Sequence, residues 1–161
     1  MKGCAFTGHR QIKHSHKLRL RALLARAVRY AYSEGCREFY SGGALGFDLL
    51  AGEVVLEMKN EHPDIRLCML LPCMNQDSKW SDSDRRQYER VVNSADEVIC
   101  FSPVYYDGCM QVRNRELVTR SDILIAYLGR DRGGTAQTVR MALGRGVSVY
   151  NLYPTLENGE R

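Results

Sequence analysis

Two glycine-rich segments and a short basic one carry residue types that hold phosphate. In Ser41-Gly42-Gly43-Ala44-Leu45-Gly46, three glycines fall within five positions directly after the apolar pair Phe39-Tyr40. A backbone that bare can offer free amides to an anion at a helix N-terminus, or can simply turn from strand to helix at positive φ. Thr7-Gly8-His9-Arg10 brings together a hydroxyl, a bare backbone, an imidazole and a guanidinium. Arg10 suits bidentate phosphate binding, with Thr7 and Gly8 adding hydrogen bonds. Gly133-Gly134-Thr135 repeats the bare-backbone device before another helix-like stretch. Neither glycine segment is GxxxxGK[ST] or GxGxxG, so neither is a P-loop or the dinucleotide fingerprint. Asp48, one turn beyond Ser41-Gly42-Gly43, either faces a ribose or caps the helix start.

Trp80 is the single tryptophan and sits in a polar loop. It either stacks on a base or packs beneath its own loop. Arg113 and Glu116 are three apart and share a helix face, as site residues or as an intrahelical ion pair. The six cysteines contain no CxxC pair, and most sit in or beside apolar runs, the pattern of buried free thiols. His14-Ser15-His16 lacks a matching ligand cluster and reads as a solvated polar loop, so no metal site is expected. No cofactor is assigned.

Strand-like and helix-like runs alternate along the chain. Strands are expected at 4–6, 37–40, 65–72, 97–101, 122–128 and 147–152, and helices at about 16–34, 44–61, 82–94, 110–121 and 135–145. Residues 65–72 (IRLCMLLP) are almost continuously apolar, as in a strand covered on both faces. The expectation is an α/β, Rossmann-like three-layer sandwich: a mostly parallel sheet with helices on both faces. In such sheets the loops after the strands share one edge, where ligands bind. The segments TGHR, SGG, MNQDSKW, SPVYYDG and GRDRGGT all fall on that edge.

At 161 residues the chain supports one domain, here 1–153, with 154–161 as a short frayed tail. Residues 13–29 form an amphipathic basic helix, and the net charge is +4. No segment approaches ~18 uninterrupted apolar residues, which argues for a cytoplasmic protein without a membrane partner.

Taken together and in order, FTGHR, SGGALGFDLLAGE, NQDSKW and MQVRNRELVTRSDILIAYLGRDRGGTAQTVRMA resemble the YpsA-like branch of the SLOG superfamily, named for the Smf/DprA and LOG proteins. The resemblance spans nearly the whole chain. It implies a Rossmann-like domain that binds a nucleotide or nucleotide-derived ligand, one related to ADP-ribose or NAD. Homo-oligomerisation is a further expectation from the superfamily. Its LOG members cleave the N-glycosidic bond of cytokinin nucleotides, using an arginine in M-x-x-R-K-x-x-M and a glutamate in P-G-G-x-G-T-x-x-E. Met110-Gln-Val-Arg113-Asn-Arg-Glu116-Leu matches the first motif with Asn114 in place of lysine. The second retains Gly133-Gly134-Thr135 but has Thr138 where the glutamate stands.

Glycosidic cleavage through an oxocarbenium-like transition state needs a nearby carboxylate. The first expectation is therefore a sensor-type domain for a nucleotide-like small molecule. An N-glycosidase using Arg113, with Glu116 or Asp48 supplying the carboxylate, is the alternative. Single-stranded nucleic-acid binding through the basic first helix is a third reading.

Overall fold

The computed structural model describes residues 2–158. Its elements run β1 (Lys2–Gly8), a 3-10 turn (His14–His16), α1 (Lys17–Ser33), β2 (Cys36–Ser41), α2 (Phe47–Met58), β3 (Arg66–Leu71), α3 (Asp82–Ser94), β4 (Glu97–Cys100), α4 (Cys109–Thr119), β5 (Ile123–Tyr127), α5 (Gly134–Gly144), β6 (Ser148–Asn151) and α6 (Tyr153–Asn158). The six strands make one all-parallel sheet in the order β4-β3-β2-β1-β5-β6. This is the expected Rossmann-like α/β sandwich.

Alternate side chains of each strand build two cores. Cys4, Phe6, Phe39, Leu67, Met69, Ile125 and Tyr127 pack with α1, α2, α3 and α6 on one face. Ala5, Cys68, Leu70, Leu124 and Ala126 pack with Leu117 and Val118 of α4 and Val139 and Ala142 of α5 on the other. Burial on both faces explains why the central strands read as unbroken apolar runs. The chain walks from β1 to β4 in one direction, then crosses back under the sheet through α4 to add β5 on the other side of β1. The strand order therefore reverses between β1 and β5. Their register pairs Gly8 with Tyr127, so the loops leaving both strands start at the same level.

Much of the basic face of α1 is engaged with neighbouring elements. Arg21 pairs with Glu53 and Glu57 of α2, Arg29 approaches Glu61, and Arg19 donates to the Thr155 and Leu156 carbonyls of α6. Those charges tie α1 to its neighbours.

Two local expectations are corrected. Residues expected to fray after 153 form α6, anchored by Leu156, which is 1% exposed; residues 159–161 lie outside the described residues. The His14–His16 segment is a 3-10 turn, not a solvated loop. His16 is buried, with Nδ1 at 2.7 Å from the Tyr127 hydroxyl and Nε2 at 2.8 Å from Glu157. An imidazole satisfied at both nitrogens can sit inside a core, and it holds α6 to β5. The expected thiols are free: five are buried and Cys100 is half-buried.

α3 starts at Asp82, directly after the N-cap residue Ser81. The Ser81 Oγ accepts from the Asp84 N–H at 3.2 Å. Ser81→Ala is expected to cost about 1 kcal/mol. For a chain of this size, thermal denaturation should register that as a Tm lower by about 2–4 °C.

Candidate functional site

A cavity of about 700 Å3 opens at the carboxyl edge of the sheet, over the β1/β5 reversal. One wall is the segment leaving β1, Thr7 to Lys13. The opposite wall comes from Tyr127 at the end of β5, from Gly129, Arg130 and Arg132 after it, and from Gly134 and Thr135 at the start of α5. Ala44 and Asp48 lie to one side, Met110, Arg113 and Asn114 of α4 to another, and Tyr153 of α6 closes the set. Because α5 begins here, its unpaired first-turn amides and positive dipole end border the cavity.

The segment after β1 is held by its backbone. The His9 N–H donates to the Tyr127 carbonyl at 3.3 Å, and the His9 carbonyl accepts from the Phe47 N–H at 3.2 Å. His9 Nε2 accepts from the Gly129 N–H at 2.8 Å, which puts the ring proton on Nδ1 and joins the two switch-point loops. Burial, and then the Arg130 charge, hold the His9 pKa below its ordinary value. His9 is therefore a neutral imidazole at physiological pH.

The positive charge comes from arginines. Arg10, Arg130 and Arg132 border the cavity and form no ion pair among the described residues. Arg113 is 5% exposed and lies deeper. Its Nη1 donates to the Gly42 carbonyl at 2.6 Å and its Nε to Asn114 Oδ1 at 2.8 Å. Burial lowers its pKa, with Asp48 opposing that shift.

Asp48 is the one carboxylate among the described residues lining the cavity. It is 5% exposed; Oδ2 accepts from the Ala44 N–H at 3.4 Å, and Oδ1 has no partner. Burial pushes its pKa up to about 6, against the pull of Arg113 and Arg10. A buried, unpartnered carboxylate oxygen on a cavity wall is an acceptor waiting for a donor. Oδ2 serves the turn that precedes α2 and does not cap the helix, whose start has no side-chain cap.

Of the residues singled out from the sequence, the cavity brings together Thr7, Gly8, His9, Arg10, Asp48, Arg113, Gly134 and Thr135. Ser41, Gly42 and Gly43 lie behind its wall and are buried. The Ser41 hydroxyl donates to the Asp48 carbonyl and accepts from the Gly43 N–H, and the Gly42 carbonyl receives Arg113. A Cβ on Gly42 would stand 2.3 Å from Arg113 Nη1. Gly42 is thus a glycine because a side chain crosses its backbone there.

Gly133 sits at φ +99° just before α5, outside the lining. Trp80 also lies outside it, edge-on to Tyr88 at 5.2 Å between ring centroids. Glu116 pairs with Arg120 at 3.2 Å rather than with Arg113. Thr138 is fully buried, and its hydroxyl donates to the Gly134 carbonyl at 2.8 Å.

Arg130, Arg132, Tyr127 and Tyr153 line the cavity without having been singled out from the sequence. The two arginines flank a glycine-rich segment that does stand out, and Tyr127 ends a strand on the ligand edge. Tyr153 carries no sequence signal, since its place depends on α6 docking. Its ring fills the space a Cβ on Gly129 would need, at 2.3 Å.

An all-parallel Rossmann-like domain with a cationic cavity at its switch point defines the class. The chain belongs to the YspA SLOG family, whose YpsA profile matches residues 5–146. It is 31% identical over 144 residues to a UPF0398 protein of Halalkalibacterium halodurans, covering 84% of this chain and 76% of that one. A UPF0398 protein of Bacillus cereus is 27% identical over 148 residues, covering 86% and 80%.

Among solved structures, DNA processing protein A of Helicobacter pylori, for which a single-stranded DNA binding mode is described, superimposes with a TM-score of 0.65 at 21% identity. The match covers 98% of this chain and 73% of that one. DNA processing protein A of Streptococcus pneumoniae gives a TM-score of 0.68 at 17% identity, over 93% of this chain and 50% of that one. These likenesses establish the shared fold. No helix among the described residues is long and apolar enough to cross a membrane.

Proposed function

We propose that this protein is a binding domain for a nucleotide-like anion, with the phosphate among Arg10, Arg130, Arg132 and the start of α5. Asp48 then accepts a hydroxyl, as from a ribose. The observation that carries this reading is the buried Asp48 Oδ1, unpartnered in a cavity whose other charged lining residues are Lys13 and four arginines and which the start of α5 borders. Phosphate fits the guanidinium forks and the dipole end of α5. A sugar hydroxyl supplies the donor that Oδ1 lacks. ADP-ribose and NAD are ligands of this chemistry.

A thermal-shift screen against AMP, ADP, ATP, NAD and ADP-ribose tests it. Ligand at 100 times its Kd adds about 2.7 kcal/mol, enough to raise Tm by several degrees. Arg10 is exposed and unpaired among the described residues. Arg10→Ala should abolish the shift while changing intrinsic stability by less than about 1 kcal/mol. An undiminished shift in that variant would sink the assignment.

The N-glycosidase alternative has one carboxylate to work with. Thr138 replaces the motif glutamate and spends its hydroxyl on Gly134, while Glu116 is turned to Arg120. Cleavage of a nucleotide would therefore run through Asp48, and base release should vanish in Asp48→Asn. Nucleic acid enters as a ligand of the same cavity, since the basic face of α1 is largely engaged with α2 and α6.

A further inference from the structure

A second cavity of about 690 Å3 adjoins the first, and Arg10, Gln11 and Ile12 line both. Its far side is built from Leu45 and Leu50 around the start of α2, and from Asp84 and Gln87 of α3. Lys17 and Leu20 of α1 complete a lining that mixes aliphatic and polar side chains. Ile12, Leu45 and Leu50 are half-buried aliphatics packed against the main core. The side chains of Gln11, Asp84 and Gln87 have no hydrogen-bond or ion-pair partner among the described residues.

Aliphatic side chains together with two carboxamides, and with Lys17 and Asp84 as further polar groups, suit a flat ring with donors and acceptors around its rim. The aliphatics cover the ring faces, and each carboxamide both donates and accepts toward an edge. Arg10, common to both cavities, stands where a phosphate joining two halves of one molecule would pass.

We propose that the second cavity is a nucleobase subsite, and that the ligand contains two nucleosides joined through phosphate. One nucleoside occupies the β1/β5 cavity with its hydroxyl on Asp48. The other places its base between Ile12, Leu45 and Leu50, read by Gln11 and Gln87. This rests on the nucleotide reading of the first cavity. Two sources share the required chemistry: a pyrophosphate-linked dinucleotide, and a dinucleotide step of single-stranded nucleic acid.

Calorimetric titration of the full chain with AMP, NAD, the dinucleotide pApA and a short oligodeoxyadenylate tests the idea. At least one two-nucleoside ligand should bind about tenfold or more tighter than AMP. Preference for NAD identifies the pyrophosphate source, and preference for pApA or the oligonucleotide identifies the strand source. Gln87→Trp, which fills the second cavity from a half-buried helix position, should erase that preference while AMP affinity changes less than about twofold. The truncation Gln87→Ala, at a residue that lines only the second cavity, should reduce the preference in the same way and guards against misfolding of the tryptophan variant.

Equal affinity for AMP and every two-nucleoside ligand overturns this proposal and leaves the first cavity's reading intact. So does an equal loss of AMP and two-nucleoside binding in both variants. Absence of binding by all four ligands overturns both readings.

Discussion

Asp48→Asn is expected to make the unliganded protein more stable and its ligand binding far weaker. The Asp48 carboxyl is carried from its ordinary 3.8 up to about 6 by burial, so folding disfavours its charged form. A shift of about two units corresponds to about 3 kcal/mol of destabilisation once the group is ionised. The folded state holds this proton more tightly than the unfolded state does. The penalty is therefore absent below about pH 4, grows as pH rises toward 6, and is complete at pH 7. Asparagine keeps an acceptor for the Ala44 N–H and removes the buried charge.

Denaturant titrations at pH 7 should then show Asp48→Asn about 1–3 kcal/mol more stable than the parent, a gain that shrinks toward zero near pH 4. The same change should remove most of the ligand-induced thermal shift. A variant less stable than the parent at pH 7 would contradict the electrostatic account of this residue. A variant that still binds normally would contradict the assignment of Oδ1 to a ligand hydroxyl.

The second large effect is expected at Gly46, which holds φ +81° at the entrance to α2. A Cβ there would lie 2.1 Å from the Arg10 carbonyl oxygen and 2.8 Å from that of His9. Both obstacles are backbone, so neither can swing aside as a flexible side chain would. Gly46→Ala thus combines left-handed strain of about 1–2 kcal/mol with overpacking of about 1–3 kcal/mol. Its total cost should be about 3 kcal/mol or more. Relief can come only by moving the Arg10 segment, which forms one wall of the cavity. Urea denaturation should show the lost stability, and the surviving folded protein should bind ligand weakly. Gly144, with nothing within 4 Å of its added Cβ and no positive φ, provides the control. Gly144→Ala should leave both properties near those of the parent.

Much of the architecture is legible in the amino-acid sequence because parallel strands covered on both faces leave long apolar runs. β3 shows this best: Leu67 to Leu71 are all buried. Its loops can then be assigned to one sheet edge by topology alone. The cavity is legible to the extent that its residues leave strand ends, as Thr7–Arg10 and Gly134–Thr135 do. What stays hidden depends on partners far away in the chain. Nothing near Gly42 announces that Arg113, 71 positions later, lies across it. Nothing near Gly46 tells that the Arg10 carbonyl takes up its side-chain space. Composition marks residues 41–46 as special, while their role as an internal saddle comes from tertiary contact. Arg130 and Arg132 escape notice for a related reason: beside two glycines, charged residues read as ordinary turn chemistry.

The pairing of β1 with β5 has a consequence for how the chain matures. β1 meets β2 early in synthesis, but its other edge must wait until more than a hundred further residues have been made, since Cys4 pairs with Ile123. Until then one of the two central strands of the finished sheet presents an open, hydrophobic border. A nascent chain arrested before β5 is thus a candidate for capture by chaperones or by a second nascent chain. The cavity straddles this same late junction, so it exists only in the completed molecule, and a ligand held there would not help the early intermediates along.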